Sequence, residues 1–434
     1  MAIACKMRAI LPRSLANASA LGMLLNAARS TLPERSRNKF TAPNTAARAV
    51  ALLTLAGAAA PAHAGIEWIP YALSQAQYDS NVYRVSSTDL APVIDGKRIR
   101  SDLIFLNTLG LGANYEYGEQ RLRTQVEGRQ FNYLNTSGLD HNEYLITAGL
   151  DWILVRRLTG AIDFRQERRL ASFADRDTSQ LILERDRLVG GKLDFNFAND
   201  WRLEGGYRFH DLLSPLPAFP RFTLNERTGS AALQYLGISK ITAGLGGDYL
   251  TGEYTGSNAP ASFRQYSLQG TLGYEATGLS NFNLALGYTS RSGEVQLGRT
   301  GEFTGSLGYR RQITGKTSAR ATIFRRVVSY TAGNNSVVET GGNAGIAWEA
   351  TAKITADLSY EYTDGAFQAS NLPGGVTNDD RKDRYQSATI SLSYNPLRWL
   401  QLRTYATYQE RTSNTPVNAY NTSLLGFELR ARFE

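Results

Sequence analysis

The sequence predicts an all-β protein, a transmembrane antiparallel up-and-down β-barrel of about eighteen strands, with sixteen as the alternative count. Three observations predict it. Segments of alternating polarity recur from residue 68 to residue 433 without a domain break. Their connections alternate in length, one tight and the next longer. One face of every second segment ends on an aromatic residue just before the tight connection.

Residues 1–64 stand apart from this pattern. A twelve-residue apolar run at 49–60 follows Arg48 and precedes Ala62-His63-Ala64, a small-residue site that predicts an export signal cleaved after Ala64. Twelve residues are too few for a membrane-spanning helix, which needs about twenty. Residues 1–40 are long for a signal N-region and fit a true start codon further downstream. The formal charge of +8 belongs to this segment, which holds eight of the 47 Lys and Arg and one of the 39 acids. Residues 65–434 are left near neutrality at +1, so the charge gives no reason to expect a nucleic-acid partner. The single cysteine, Cys5, also lies there, so residues 65–434 have no thiol chemistry and no disulfide.

The barrel is expected to occupy 65–434 as one domain. Its predicted strands are 68–83, 100–117, 121–134, 141–155, 159–170, 184–198, 201–212, 222–236, 240–254, 262–276, 281–293, 300–311, 317–329, 337–350, 354–367, 383–395, 399–411 and 419–433. An average of about twenty residues per strand exceeds the spacing of a soluble sandwich and suits a tilted membrane crossing. Tight turns such as Asn199-Asp200 define one rim; connections such as 85–99, 171–183, 213–221 and 368–382 define the other. In outer-membrane barrels the tight side faces the periplasm, and an even strand number then puts both termini there. The expected location is the cell outer membrane, with its lipid and lipopolysaccharide as partners.

The last strand shows the pattern most clearly. Leu425, Phe427, Leu429, Ala431 and Phe433 share one face; Glu428, Arg430 and Arg432 share the other. A strand buried on both faces could not carry those charges. The aromatic series before the tight turns is Tyr117, Trp152, Phe197, Tyr235, Tyr274, Tyr309, Trp348, Tyr394 and Phe433, joined by Trp201, Phe282 and Trp399 at the starts of following strands. Rings at one level mark a periplasmic girdle, since an amphipathic ring is stable where hydrocarbon meets headgroup.

The opposite face carries the charge: Arg121, Arg123, Glu127 and Arg129; Asp163, Arg165, Glu167 and Arg169; Arg202, Glu204 and Arg208; Arg403; Arg430 and Arg432. An Arg facing lipid at the midplane costs about 2–4 kcal/mol, so these residues are expected to line a wet lumen. Two roles stay open for them. They can neutralise one another across strands, or they can bind a passing anionic or hydroxyl-rich solute through forked guanidinium bonds. Phe131, Phe324 and Tyr405 on the same face fit sugar stacking or space filling.

Catalytic patterns are poor. His141 and His210 are the only histidines after Ala64, and no Gly-x-Ser-x-Gly elbow occurs. Gly315-Lys316-Thr317 lacks the earlier glycine of a phosphate loop, Arg310 standing in its place, and reads as a turn. The acidic group Asn378, Asp379, Asp380 and Asp383 fits a solvated loop better than a cation site. No cofactor, metal or enzymatic activity is expected.

Near the start of the barrel, Tyr78-Asp79-Ser80-Asn81-Val82-Tyr83-Arg84 resembles the Tyr-Asp-x-Asn-(Val/Ile)-(Phe/Tyr)-Arg stretch that opens a group of β-barrel porins, including the EpsL-type barrels of exosortase-associated exopolysaccharide loci. The resemblance implies a channel for export of an extracellular polysaccharide, with that polymer and periplasmic export components as partners. A diffusion porin for small solutes is the alternative, and a closed scaffold or outer-membrane enzyme the third reading. Barrels of that group end on the aromatic, whereas here Glu434 follows Phe433.

Overall fold

A computed structural model describes residues 65–175, 178–215, 222–256, 261–293, 299–330, 335–368 and 381–433. The expected export signal, residues 1–64, and Asn378, Asp379 and Asp380 lie outside the described residues. The strands are β1 (Ile66–Asp79), β2 (Val93–Ile94), β3 (Lys97–Arg98), β4 (Asp102–Tyr117), β5 (Gln120–Tyr133), β6 (His141–Val155), β7 (Leu158–Leu170), β8 (Leu183–Ala198), β9 (Trp201–Leu213), β10 (Thr223–Ile238), β11 (Ile241–Thr255), β12 (Ala261–Thr277), β13 (Ser280–Gly293), β14 (Arg299–Thr314), β15 (Thr317–Tyr330), β16 (Asn335–Thr351), β17 (Ile354–Phe367), β18 (Lys382–Leu397), β19 (Leu400–Ser413) and β20 (Tyr420–Arg432).

Eighteen of them, β1 and β4 to β20, form one antiparallel sheet that closes because β1 pairs with both β4 and β20. The count is eighteen, not the alternative sixteen. Closure pairs every strand on both sides, save where β14 and β15 part above Gly305, and so meets the condition for a sheet to stand in lipid along the rest of the wall. Strands of 13 to 17 residues reach roughly 43–56 Å at about 3.3 Å per residue, enough for a tilted crossing with overhang. The short β2–β3 hairpin stands in the connection between β1 and β4.

The tight connections are all two residues long, from Gly118-Glu119 between β4 and β5 to Arg398-Trp399 between β18 and β19. Gly118 and Lys240 take φ of 59° and 68° there. Left-handed backbone of this kind lets a two-residue turn match the twist of its strands. Ile66 lies opposite Tyr115 and Ala431 opposite Leu400, so the start of β1 and the end of β20 share the tight-turn rim.

β1 departs from its predicted span. It stops at Asp79, not at residue 83, because the Asp79 carboxylate collects local donors that compete with the ladder. It accepts bonds from the backbone N–H of Asn81 at 2.8 Å, Oγ1 of Thr422 at 2.7 Å and Nη1 of Arg84 at 2.8 Å. Arg84 takes φ of 55°, which turns the chain inward. Asn81 is fully buried; its Nδ2 donates to the carbonyls of Val85 and Asn421, each at 2.8 Å. The expected pairing with the end of the chain therefore holds for Tyr78 opposite Leu425 and Asp79 opposite Leu424, while residues 80–84 reach β20 through single bonds.

Two apolar clusters lie at the long-connection rim. Val82, Tyr83, Ile104, Tyr133, Leu139 and Phe173 form one, where three connections fold against the wall. Leu212, Phe222, Leu224, Tyr254 and Phe263 form the other. The wall itself changes at β14 and β15: their pairing ends at Gly305 opposite Arg325, although both strands continue. The upper β15–β16 hairpin stays paired to Tyr330 opposite Asn335 and leans across the lumen. There Oγ of Ser329 donates to Glu226 of β10 at 2.6 Å and accepts from Nη1 of Arg291 of β13 at 2.9 Å.

Candidate permeation path

Cross-strand register sorts every strand residue to one of two faces, because directly opposed residues point the same way. Asp163 faces Gly149 and Gly190, Arg165 faces Thr147 and Leu188, Glu204 faces Asp194 and Ala232, and Glu428 faces Gln75 and Arg403. Followed round the barrel, these pairings put Arg121, Arg123, Glu127, Arg129, Asp163, Arg165, Glu167, Arg169, Arg202, Glu204, Arg208, Arg403, Arg430 and Arg432 on one face. Arg411, on the same face as Arg403, donates across the barrel to the carbonyl of Ala174 in the β7–β8 connection, which makes this face the inner one.

These groups fall into two regions. Toward the long-connection rim a belt of charges is tied together. Arg129 holds Glu127 at 2.5 Å, and the hydroxyl of Tyr71 donates to the same carboxylate at 2.5 Å. Arg169 bridges Glu167, Glu184 and Asp186. His210 sits between Asp186 at 3.1 Å and Glu226 at 3.0 Å, and Glu226 leads through Ser329 to Arg291. His141 contacts Glu143 at 3.2 Å and stacks on Phe131 at 4.7 Å between centroids. The two histidines, separate in sequence, thus serve one belt at different places. Glu143, Glu184, Asp186, Glu226 and Tyr71 belong to it as well. Sequence reasoning missed them, although two-residue alternation from the named neighbours would have placed them on this face.

Nearer the tight-turn rim the arginines are more open. Arg123, Arg165, Arg430 and Arg432 surround a depression of about 480 Å³ whose floor includes Gly112, Thr147 and Gly149. Arg123 pairs with Asp151 and Arg165 with Glu167, each at 2.7 Å, yet both guanidinium side chains remain more than half exposed. Arg430 packs 5.3 Å from the centre of the Tyr71 ring, and its buried Nε has no acceptor. Small residues leave room above the wall, and guanidinium groups on several sides offer forked donors. An anion in this basin would meet donors at once.

The other inner positions are placed as follows. Arg121 pairs with Glu116 at 2.8 Å at the tight-turn end, and Arg202 with Glu204 at 3.8 Å. Arg208 lies opposite Gly190 and Thr228. Arg403 lies opposite Glu428 and over the ring of Tyr405. Tyr405 itself donates to Gln77 and accepts from Gln75, and Arg326 covers the ring of Phe324. Asp383 is held by Arg381, so it has a protein partner independent of the acidic residues before it.

The outer face is apolar between two levels of rings. At the tight-turn rim Trp201 meets Tyr235 at 4.9 Å, Phe282 meets Tyr309 at 4.5 Å and Tyr274 at 6.4 Å, and Trp399 meets Phe433 at 5.9 Å. Tyr117, Trp348 and Tyr394 are exposed at the same level, Trp152 covers Gly160, and Phe197 packs beside Phe195. A second level, not singled out from sequence, includes Tyr207, Tyr249, Tyr266, Tyr288 and Phe303, with Tyr249 and Tyr266 at 4.7 Å. Tyr266 to Tyr274 spans eight residues of β12, roughly 27 Å along a tilted strand, which fits an apolar band about 25 Å tall.

No protein-family model and no curated protein matches the chain. The Tyr78–Arg84 resemblance therefore rests on its seven residues alone. Solved structures similar to the chain include Pseudomonas aeruginosa OccK1 (OpdK), at 11% identity and TM-score 0.43 over 85% of this chain and 99% of that one. OccK2 (OpdF) of the same organism is similar at 13% identity and TM-score 0.45, over 85% and 97%. A mutant of its ferric enterobactin receptor PfeA is similar at 10% identity and TM-score 0.45, over 86% and 81%. At such identities and scores these likenesses carry no inference about what the barrel transports.

Proposed function

We propose that the chain is an outer-membrane diffusion channel for small, acidic solutes, its tight-turn rim in the periplasm. The observation that carries this reading is the narrowing of the mouth by bonds across the lumen. Arg411 of β19 donates to the carbonyl of Ala174 in the β7–β8 connection, and Ser329 joins Glu226. A polymer in transit would have to break them; a small solute can pass beside them. The arginine basin below supports the preference for anions. Export of a polysaccharide, which the seven-residue resemblance implies, finds no comparable support in the lumen.

Two measurements test the proposal. Purified protein in planar bilayers is expected to conduct with a reversal potential favouring anions. Replacing Arg165 and Arg430 together by Gln should move that potential toward the cation side. An unchanged potential would return both residues to a purely structural role, and a silent barrel would remove the channel reading. Liposome swelling should admit monosaccharides and uronates and exclude long oligosaccharides; free passage of the latter would restore polymer export.

A further inference from the structure

Five arginines stand on the outer face of β7 to β12, beyond the upper ring level: Arg168, Arg185, Arg187, Arg227 and Arg264. Register places them there. Arg168 lies opposite Arg185, Arg187 opposite Asp211, Arg227 opposite Phe209 and Thr251, and Arg264 opposite Thr251 and Ser292. Arg227 and Arg264 are two residues beyond the level of Tyr249 and Tyr266 and two strands apart, roughly 10 Å. Among the described residues, two carboxylates share this face. Asp211 takes Arg187 at 3.2 Å and Arg185 at 3.6 Å; Glu253 stands two residues further out than Thr251. Arg168, Arg227 and Arg264 are exposed and have no ion-pair partner among the described residues. The buried Nε of Arg187 has no acceptor.

The opposite side of the barrel differs. At the same rim on β15 to β18, Arg325 is tied to Glu302 at 2.5 Å and Arg384 to Asp364 at 3.2 Å. Lys382 of β18 is exposed there without an ion pair among the described residues, but it stands alone, so the larger surplus of positive charge is in the β7 to β12 sector, directly above the apolar band, where a lipid's phosphate would stand. Arg227 and Arg264 also flank a surface depression of about 730 Å³ with Asn225, Thr251, Ser262 and, at its outer end, Glu253 on its walls, two guanidinium groups to one carboxylate.

We propose that this sector binds the phosphate groups of one lipopolysaccharide molecule of the outer leaflet, with Arg227 and Arg264 as forked donors and the rings of Tyr249 and Tyr266 against the upper part of its acyl chains. The proposal rests on the reading of the barrel as an outer-membrane protein with its long connections outside. Arg suits it better than Lys would, because a guanidinium group matches phosphate oxygens in pairs.

Native mass spectrometry of the full mature protein tests it, with bisphosphorylated lipid A, lipid A stripped of both phosphates, phosphatidylglycerol and inorganic phosphate as probes. One bisphosphorylated lipid A should stay bound to the wild type roughly tenfold or more above Arg227→Gln/Arg264→Gln, given the charge-assisted bonds lost. The Lys/Lys variant should retain an intermediate amount. Equal retention by the Gln/Gln variant, or of the dephosphorylated lipid, would reduce the sector to ordinary lipid contact and overturn the proposal. Comparable binding of phosphatidylglycerol or inorganic phosphate would overturn the assignment to lipopolysaccharide. Gel mobility before and after heating checks that each variant folds, and should Gln/Gln not fold, the two single variants decide. Channel current is not a readout here, so a silent barrel that retains lipid A would sink only the channel proposal.

Discussion

Asp79 and Asn81 show how much a single polar residue sets in this molecule. Each is buried, and between them they hold the end of β1, the start of the inward turn and β20 together. Removing one partner from a buried bond leaves the other unsatisfied, at about 1–3 kcal/mol. Asn81→Ala strips Val85 and Asn421 of partners and is expected to cost that order of stability, read as a lower urea midpoint by tryptophan fluorescence. Retention of the wild-type midpoint would show that the turn is held by its apolar neighbours. The inner arginines differ as sharply from one another. Arg169 is satisfied by three carboxylates, so Arg169→Gln should cost stability through stranded acids while shifting selectivity less than Arg165→Gln, whose head reaches water.

The β15–β16 hairpin is the element that departs most from an ideal barrel. Above Gly305 its first strand is released from β14, and Arg325 spans the gap with bonds to the Phe303 carbonyl at 3.1 Å, Glu302 at 2.5 Å and Thr340 at 2.7 Å. Its inward lean is fastened at Ser329. Ser329→Ala removes a bond to Glu226 and one from Arg291, a loss on the order of 1 kcal/mol per bond. The expected outcome is larger open-channel noise and a higher mean conductance in planar bilayers, with selectivity retained. Unaltered noise would mean that the hairpin is held by its own strand pairing. The connections at the other wall act with it, since Tyr83 and Phe173 pack at 5.1 Å and bring the β1–β4 and β7–β8 connections together.

At the scale of the whole barrel, residues 65–434, a net charge of only +1 conceals an uneven field. A tied belt lies toward the long connections and an arginine basin toward the tight turns. Selectivity drawn from exposed charge weakens when the screening length falls from about 10 Å at 0.1 M salt to about 3 Å at 1 M. The anion-to-cation permeability ratio is therefore expected to drop toward the ratio of free-ion mobilities between 0.1 and 1 M KCl. A ratio constant over that range would place selection in a dehydrated contact instead of the open basin.

Most of the wall is legible in the sequence alone. Two-residue alternation decides which face a side chain takes, and an apolar outside with a charged inside makes the two faces chemically opposite. Leu425 to Phe433 could be sorted residue by residue for that reason, and the tight-turn rings could be aligned from spacing alone. β1 ends four residues before its alternation does, because Val82 and Tyr83 continue the pattern while Asp79 ends the ladder through bonds that alternation does not record. Which charges are tied and which are open depends on partners distant in the chain, as Glu226 is from Ser329 and Ala174 from Arg411. Those pairs meet only because eighteen strands curve back on themselves, so closure of the barrel, not local pattern, decides the mouth and the basin.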